Sequence, residues 1–161
     1  MSKSDLTITI LVDQTPEEAF TAINNVRGWW TGEPGVEGIT EKLGDEFTYR
    51  YKNFHYSKQK ITEFIPGQKV VWLITDSSLT FIKDKSEWNG TKIIFEISKK
   101  GGKTQVRFTH VGLVPDIECY NDCSNAWGSY INNSLKKYIA ATGKKHQDKK
   151  VKESPILKTV R

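Results

Sequence analysis

The sequence predicts an α+β domain: a curved antiparallel sheet of about six to seven strands gripping one long C-terminal helix, with two short helices after the first strand. Three observations predict it. From Ile117 the apolar residues Ile117, Tyr120, Cys123, Trp127, Tyr130/Ile131, Leu135 and Tyr138/Ile139 recur in steps of three and four, one stripe of a 3.6-residue helix. Before that helix, alternating runs are separated by the turn pairs Pro66-Gly67, Asn89-Gly90 and Gly101-Gly102, and strands joined by tight turns pair antiparallel. Near the start, a strand-like run passes at once into a helix-start signature, so helices and strands are segregated along the chain.

In chain order, Leu6, Ile8, Ile10 and Val12 alternate as a first strand. Thr15 then caps a helix with Pro16 in its first turn and Glu18 at the capping-box position, and Ala19, Phe20, Ala22 and Ile23 form its apolar face. A second short segment, Val26 to Trp30, ends in paired tryptophans. Phe47, Tyr49 and Tyr51 alternate with polar residues, the pattern of a strand with one wet face. Ser57 to Ile65 is the next strand, and Val70 to Thr75, apolar on both faces, is central. Thr91 to Ser98 points Ile93, Phe95 and Ile97 one way, and Thr104 to His110 does the same with Val106, Phe108 and His110.

Taken from Asp116 to Thr142, the closing helix is about 40 Å long at 1.5 Å per residue. A helix of that length has to cross a large curved sheet, and its aromatic stripe predicts space between the layers. Gly128 inside it costs about 1 kcal/mol relative to Ala. The cost implies either close approach of another backbone, the preferred reading, or a bend that opens the interior. Cys119 and Cys123 are the only cysteines. Their i, i+4 spacing is poor for a disulfide inside a regular helix, so they read as small buried residues beside the stripe. A redox or zinc pair is set aside, because no His accompanies them on the helix.

At 161 residues one domain is expected, residues 1–143, followed by a basic and flexible tail at 144–161. The tail holds seven Lys or Arg against Asp148 and Glu153, a surplus of five that equals the net charge of +5, so the body is neutral. That distribution excludes nucleic acid as the main partner. No apolar run reaches the ~20 residues of a membrane span, and Met1 to Asp5 does not resemble a signal peptide. A cytoplasmic protein is expected.

No catalytic residue, metal site or cofactor is indicated. Gly101-Gly102-Lys103 reads as a hairpin turn, and neither a Gly-x-Ser-x-Gly elbow nor His-Glu-x-x-His occurs. His55, at a strand start, reads as a surface residue. His110 lies on an inward face, either as a structural histidine bonded to backbone or as a group that orients a ligand. Trp88, beside the Asn-Gly turn, reads as a shield over a hairpin end.

The order and spacing of several short pieces resemble a known superfamily. These are Thr15-Pro16-Glu17-Glu18-Ala19-Phe20, Trp29-Trp30-Thr31, Glu87-Trp88-Asn89-Gly90-Thr91, Thr109-His110-Val111-Gly112-Leu113, and Ala126-Trp127 followed by Leu135-Lys136-Lys137-Tyr138 and Gly143-Lys144. Together they resemble the START-like, birch-pollen-allergen-like helix-grip fold (SRPBCC), in the branch related to the activator of the heat shock protein ninety ATPase. The resemblance covers roughly Leu6 to Lys144. One departure is Ala126, where many relatives have Gly before the helix tryptophan. The resemblance implies a cavity between sheet and helix that encloses a small apolar or amphipathic molecule. Candidate lining residues are Trp29, Trp30, Phe47, Tyr49, Tyr51, Trp72, Phe95, Phe108, His110, Trp127, Tyr130 and Ile131. The alternative it implies is a co-chaperone-like domain that binds a chaperone or other protein. A cavity enzyme of cyclase or hydrolase type is a third reading.

Overall fold

The computed structural model describes residues 4–143. The tail expected over 144–161 lies outside the described residues. Seven strands form one antiparallel sheet: β1 (Leu6–Val12), β2 (Pro34–Gly38), β3 (Glu46–Tyr51), β4 (His55–Ile65), β5 (Lys69–Leu79), β6 (Lys92–Lys100) and β7 (Lys103–Val111). Their order is β1-β7-β6-β5-β4-β3-β2. The chain runs as a meander from β2 to β7, and β1 pairs with β7 from Leu6 opposite His110 to Val12 opposite Thr104. This is the expected architecture: a sheet gripping a long C-terminal helix, with two short helices after the first strand.

Those short helices carry the chain from one sheet edge to the other. Helix α1 (Pro16–Asn24) starts with the expected box: the Glu18 amide donates to Thr15 Oγ1 at 3.1 Å, and the Thr15 amide donates to Glu18 Oε1 at 2.9 Å. Ala19, Phe20, Ala22 and Ile23 are its buried face. A 3₁₀ turn, Val26–Gly28, follows and delivers Trp29 and Trp30 beneath the sheet.

The C-terminal helix differs from expectation at three points. It begins at Tyr120, four residues after Asp116, because the preceding segment closes two tight turns, Ile117 N–H to Val114 O and Tyr120 N–H to Ile117 O. It is regular over α2 (Tyr120–Ser129), widens into a π turn over Tyr130–Leu135, and continues as α-helix through residues 136–143. The buried positions Cys123, Trp127, Ile131, Leu135 and Ile139 fall every four residues. At 3.6 residues per turn each such step overshoots by roughly 40°, which would swing the stripe off the sheet. The wider π turn takes back part of that drift and keeps Leu135 and Ile139 facing inward. Finally, no neighbour approaches Gly128: a Cβ built there meets nothing within 4 Å. The close packing inferred from that glycine is therefore corrected, and the helix's irregularity begins two residues later.

Between helix and sheet the interior is filled with rings. Trp29, Phe47, Trp72, Phe95 and Phe108 are at most 1% exposed. Trp72 stacks on Trp29 and Trp30 at 6.3 and 5.8 Å between centroids, and Phe95 and Phe108 continue the array to Trp127. Aromatic contacts of this kind add to the large area such rings bury. The open space lies at one end of the helix.

Candidate binding cleft

That space is a solvent-open cleft of about 470 Å³ at the first turns of α2. Its walls come from four places. The end of β3 supplies Tyr49 and Tyr51, and the β3–β4 turn with the start of β4 supplies Phe54 and His55. The segment between β5 and β6 supplies Phe81 and Trp88, and the helix supplies Asp122, Cys123, Ala126, Trp127, Ser129 and Tyr130. Buried Trp30 completes the lining, stacked on Tyr49 at 4.1 Å with the rings 2° from parallel. The surface is mainly apolar, as in most ligand pockets, and its volume lies within their usual range. Tyr51, Phe54 and Phe81 leave 38%, 54% and 42% of their surface exposed around it.

Reciprocal carboxylate clamps hold the β5–β6 segment against the helix start. Glu87 accepts the amides of Glu118 and Cys119 at 2.7 and 3.0 Å, while Glu118 accepts those of Lys83 and Asp84 at 2.8 and 3.2 Å. The Lys83 amide foremost, and then that of Asp84, hold the Glu118 carboxyl below its usual range. The β3–β4 turn is fixed to the end of β5 by the Thr80 amide on Phe54 O at 3.0 Å and the Thr80 hydroxyl on Asn53 O at 2.6 Å.

Polar groups in this apolar lining are few. The Tyr49 and Tyr130 hydroxyls meet at 2.7 Å, and both reach the carbonyl oxygen of Thr31. Burial pushes both phenols above their ordinary pKa. His55 is half-buried, with its ring edge-on to Tyr49 and Trp88 at 5.1 and 4.7 Å. This corrects its reading as a surface residue: at the first position of β4 it shares the inward face with Ser57, Gln59 and Ile61. The Gln59 amide donates to Ser57 Oγ, and the same oxygen lies 3.1 Å from His55 Nε2. Burial lowers the imidazole pKa to about 3, so the ring is neutral at pH 7.

His110 lies behind the cleft, 0% exposed. The Trp127 indole donates to its Nδ1 at 3.1 Å, so its proton sits on Nε2 and is donated to Thr91 Oγ1 at 2.9 Å. Thr91 passes its own proton to Trp88 O at 2.6 Å. The ring is satisfied by two side chains, not by the expected backbone group, and burial foremost lowers its pKa to about 3. Trp88 is 3% exposed, and its edge-to-face contacts with His55 and His110 make it a wall between them.

Of the twelve candidate lining residues, Trp30, Tyr49, Tyr51, Trp127 and Tyr130 are gathered around the cleft. Trp29, Phe47, Trp72, Phe95, Phe108, His110 and Ile131 pack in the core behind it. Sequence reading missed His55, Trp88, Phe54, Phe81 and the α2 residues Asp122, Cys123, Ala126 and Ser129. Phe54 did carry a signal: it is a large ring between Lys52-Asn53 and His55, where burial does not account for it.

The cysteine reading is also corrected. Cys119 and Cys123 are joined in a disulfide with their Cα atoms 5.6 Å apart. The pair is possible because Cys119 stands before the helix, at its N-cap with φ −86° and ψ 4°, and not inside it. Among the described residues no group of three or more His, Cys, Asp and Glu is placed to hold a metal, and no helix is long and apolar enough to cross a membrane.

Solved structures share the fold. The solution structure of the Aha1 dimer from Colwellia psychrerythraea is 23% identical and aligns over 84% of this chain and 96% of that one, with a TM-score of 0.66. Protein MLL2253 from Mesorhizobium loti is 13% identical over 85% and 98% of the two chains, TM-score 0.65. Bacillus halodurans protein BH1534 is 12% identical over 86% and 99%, TM-score 0.64. No curated protein sequence matches this one. Residues 18–140, from the capping-box glutamate of α1 to the last turns of the gripping helix, match the family described as activator of Hsp90 ATPase homolog 1-like protein, and the chain belongs to that family.

Proposed function

We propose that this protein is an interaction module whose working surface is the aromatic cleft, and that the occupant is an apolar segment of a chaperone-type protein partner. The observation that carries this reading is the open mouth of the cleft, where Tyr51, Phe54 and Phe81 stay exposed while the interior expected to hold a guest is packed with rings. Exposed aromatic rings around a concave apolar surface favour protein contact. Family membership supports the choice of partner. The test is ATP turnover by a purified Hsp90-type chaperone with and without the protein. Turnover should change with wild type and return to the basal rate with the double variant F54S/F81S. A rate unaffected by wild-type protein at saturating concentration overturns the reading.

A second reading is supported by the Tyr49–Tyr130 pair and neutral His55, which offer hydrogen-bonding groups within about 470 Å³. They suit a small amphipathic molecule with a polar end directed at the tyrosines. Native mass spectrometry of protein from its own source would retain such a molecule. Loss of the retained mass in Y49F/Y130F supports this reading, and a chain of bare mass, with no thermal shift from fatty acids, sterols or aromatic metabolites, removes it.

A further inference from the structure

We propose that Cys119 and Cys123 form a reversible thiol–disulfide site entered through the cleft, with small thiols as its reactants. This holds whatever occupies the cleft.

The two sulfurs are not equivalent. Cys123 lines the cleft and is 5% exposed, while Cys119 is 0% exposed and lies behind it. The Trp88 indole N–H donates to Cys119 Sγ at 3.3 Å. A thiolate accepts such a bond far better than a disulfide sulfur does, and a helix N-cap further favours the anion. Two carboxylates oppose it: Glu87 on the Cys119 amide, and Asp122 in the lining. They also repel acidic thiols, so the site favours neutral or cationic ones. Access and leaving-group stabilisation therefore select the same direction of attack.

In the first step a thiolate RS⁻ attacks Cys123 Sγ. An RS–Sγ bond forms, the Sγ–Sγ bond breaks, and its electron pair leaves on Cys119. A second thiol then attacks the RS sulfur of the mixed disulfide, giving RSSR and releasing Cys123 as thiolate. In sum two RSH are oxidised to RSSR, the protein disulfide takes up the two electrons, and the two protons end on Cys119 and Cys123. In a reducing compartment such bonds are transient, and redox sensing or catalysis is their usual use.

The test uses the full chain prepared in air. Maleimide labelling should find no thiol in native protein, and two per chain after dithiothreitol without denaturant. Brief treatment with 2-mercaptoethanol followed by peptide mapping should place the mixed disulfide on Cys123. In native single variants, Cys123 of C119S should label roughly tenfold or more faster than Cys119 of C123S. If either variant fails to fold, the wild-type map decides alone. Three results overturn the proposal: two free thiols that persist after a disulfide-forming oxidant, reduction only in denaturant, or a mixed disulfide on Cys119.

Discussion

The hydroxyl oxygens of Tyr49 and Tyr130 stand 2.7 Å apart, and each also contacts the Thr31 carbonyl oxygen, at 2.8 and 2.6 Å. Two protons serve three contacts, so one oxygen–oxygen contact has no proton. Removing one hydroxyl relieves that contact while the survivor keeps Thr31 as acceptor. Y49F and Y130F should each cost no more than roughly 1 kcal/mol, and the double variant more than the sum of the two. Urea unfolding of the four proteins measures the coupling, and strict additivity would mean the hydroxyls act separately.

His55 and His110 make stability depend on pH. Burial holds both at about 3, against 6.5 for the free side chain. The folded protein therefore stays neutral at these rings where the unfolded chain takes up protons. Stability from this source is complete above pH 6.5 and is lost as pH falls from 6.5 toward 3, by up to roughly 1.4 kcal/mol per pH unit for each ring. Denaturant unfolding between pH 4 and 7 should show the slope, and H110Q should reduce it by about half. An unchanged slope in H110Q would assign it to other groups.

How legible the fold was depended on how local each signal is. Thr15, Pro16 and Glu18 act within one turn, so α1 could be read from three residues. The pairs Asn89-Gly90 and Gly101-Gly102 likewise marked turns by their own backbone needs, with Gly90 and Gly101 at φ 82° and 62°. Strand β2 was invisible because Pro34-Gly35-Val36-Glu37-Gly38 has no strand propensity and is held by its pairing with β3. The cleft was legible only in part. Periodicity places Trp72 and Tyr49 alike on inward faces, and whether an inward ring meets other rings or solvent depends on its position along the strand. Cys119 was misread for a related reason: the turns that precede the helix are held by Glu87, which accepts the Cys119 amide from 32 positions away.

That distant carboxylate makes a further prediction. Glu87 and Glu118 each bind two backbone amides of the opposite segment, so either one alone holds the β5–β6 segment to the helix at only half the contacts. E118Q keeps an acceptor but loses the charge, and E118A loses both. Amide hydrogen exchange at Lys83 and Asp84 should quicken slightly in E118Q and by tenfold or so in E118A, the loss of about one charge-assisted bond. Exchange within β1 and β7, remote from the clamp, should not move. Equal rates in wild type and E118A would show that Phe81 and Trp88 are held by packing alone.

Gly128 gives the simplest stability test. It sits within regular α2, half-exposed, and a Cβ added there meets nothing within 4 Å. Its backbone has no positive φ, so alanine fits without strain. Removing the glycine's excess unfolded-state entropy should stabilise the protein by about 0.5–1 kcal/mol. Differential scanning calorimetry of G128A should show a higher Tm with the fold unchanged. The π turn starting at Tyr130 is held by Tyr130 on Thr31 and Ser134 on Trp29 O at 2.6 Å, and not by the glycine. If G128A instead lowers Tm, the helix needs the freedom of that residue to widen two positions later, and the π turn and Gly128 form one device.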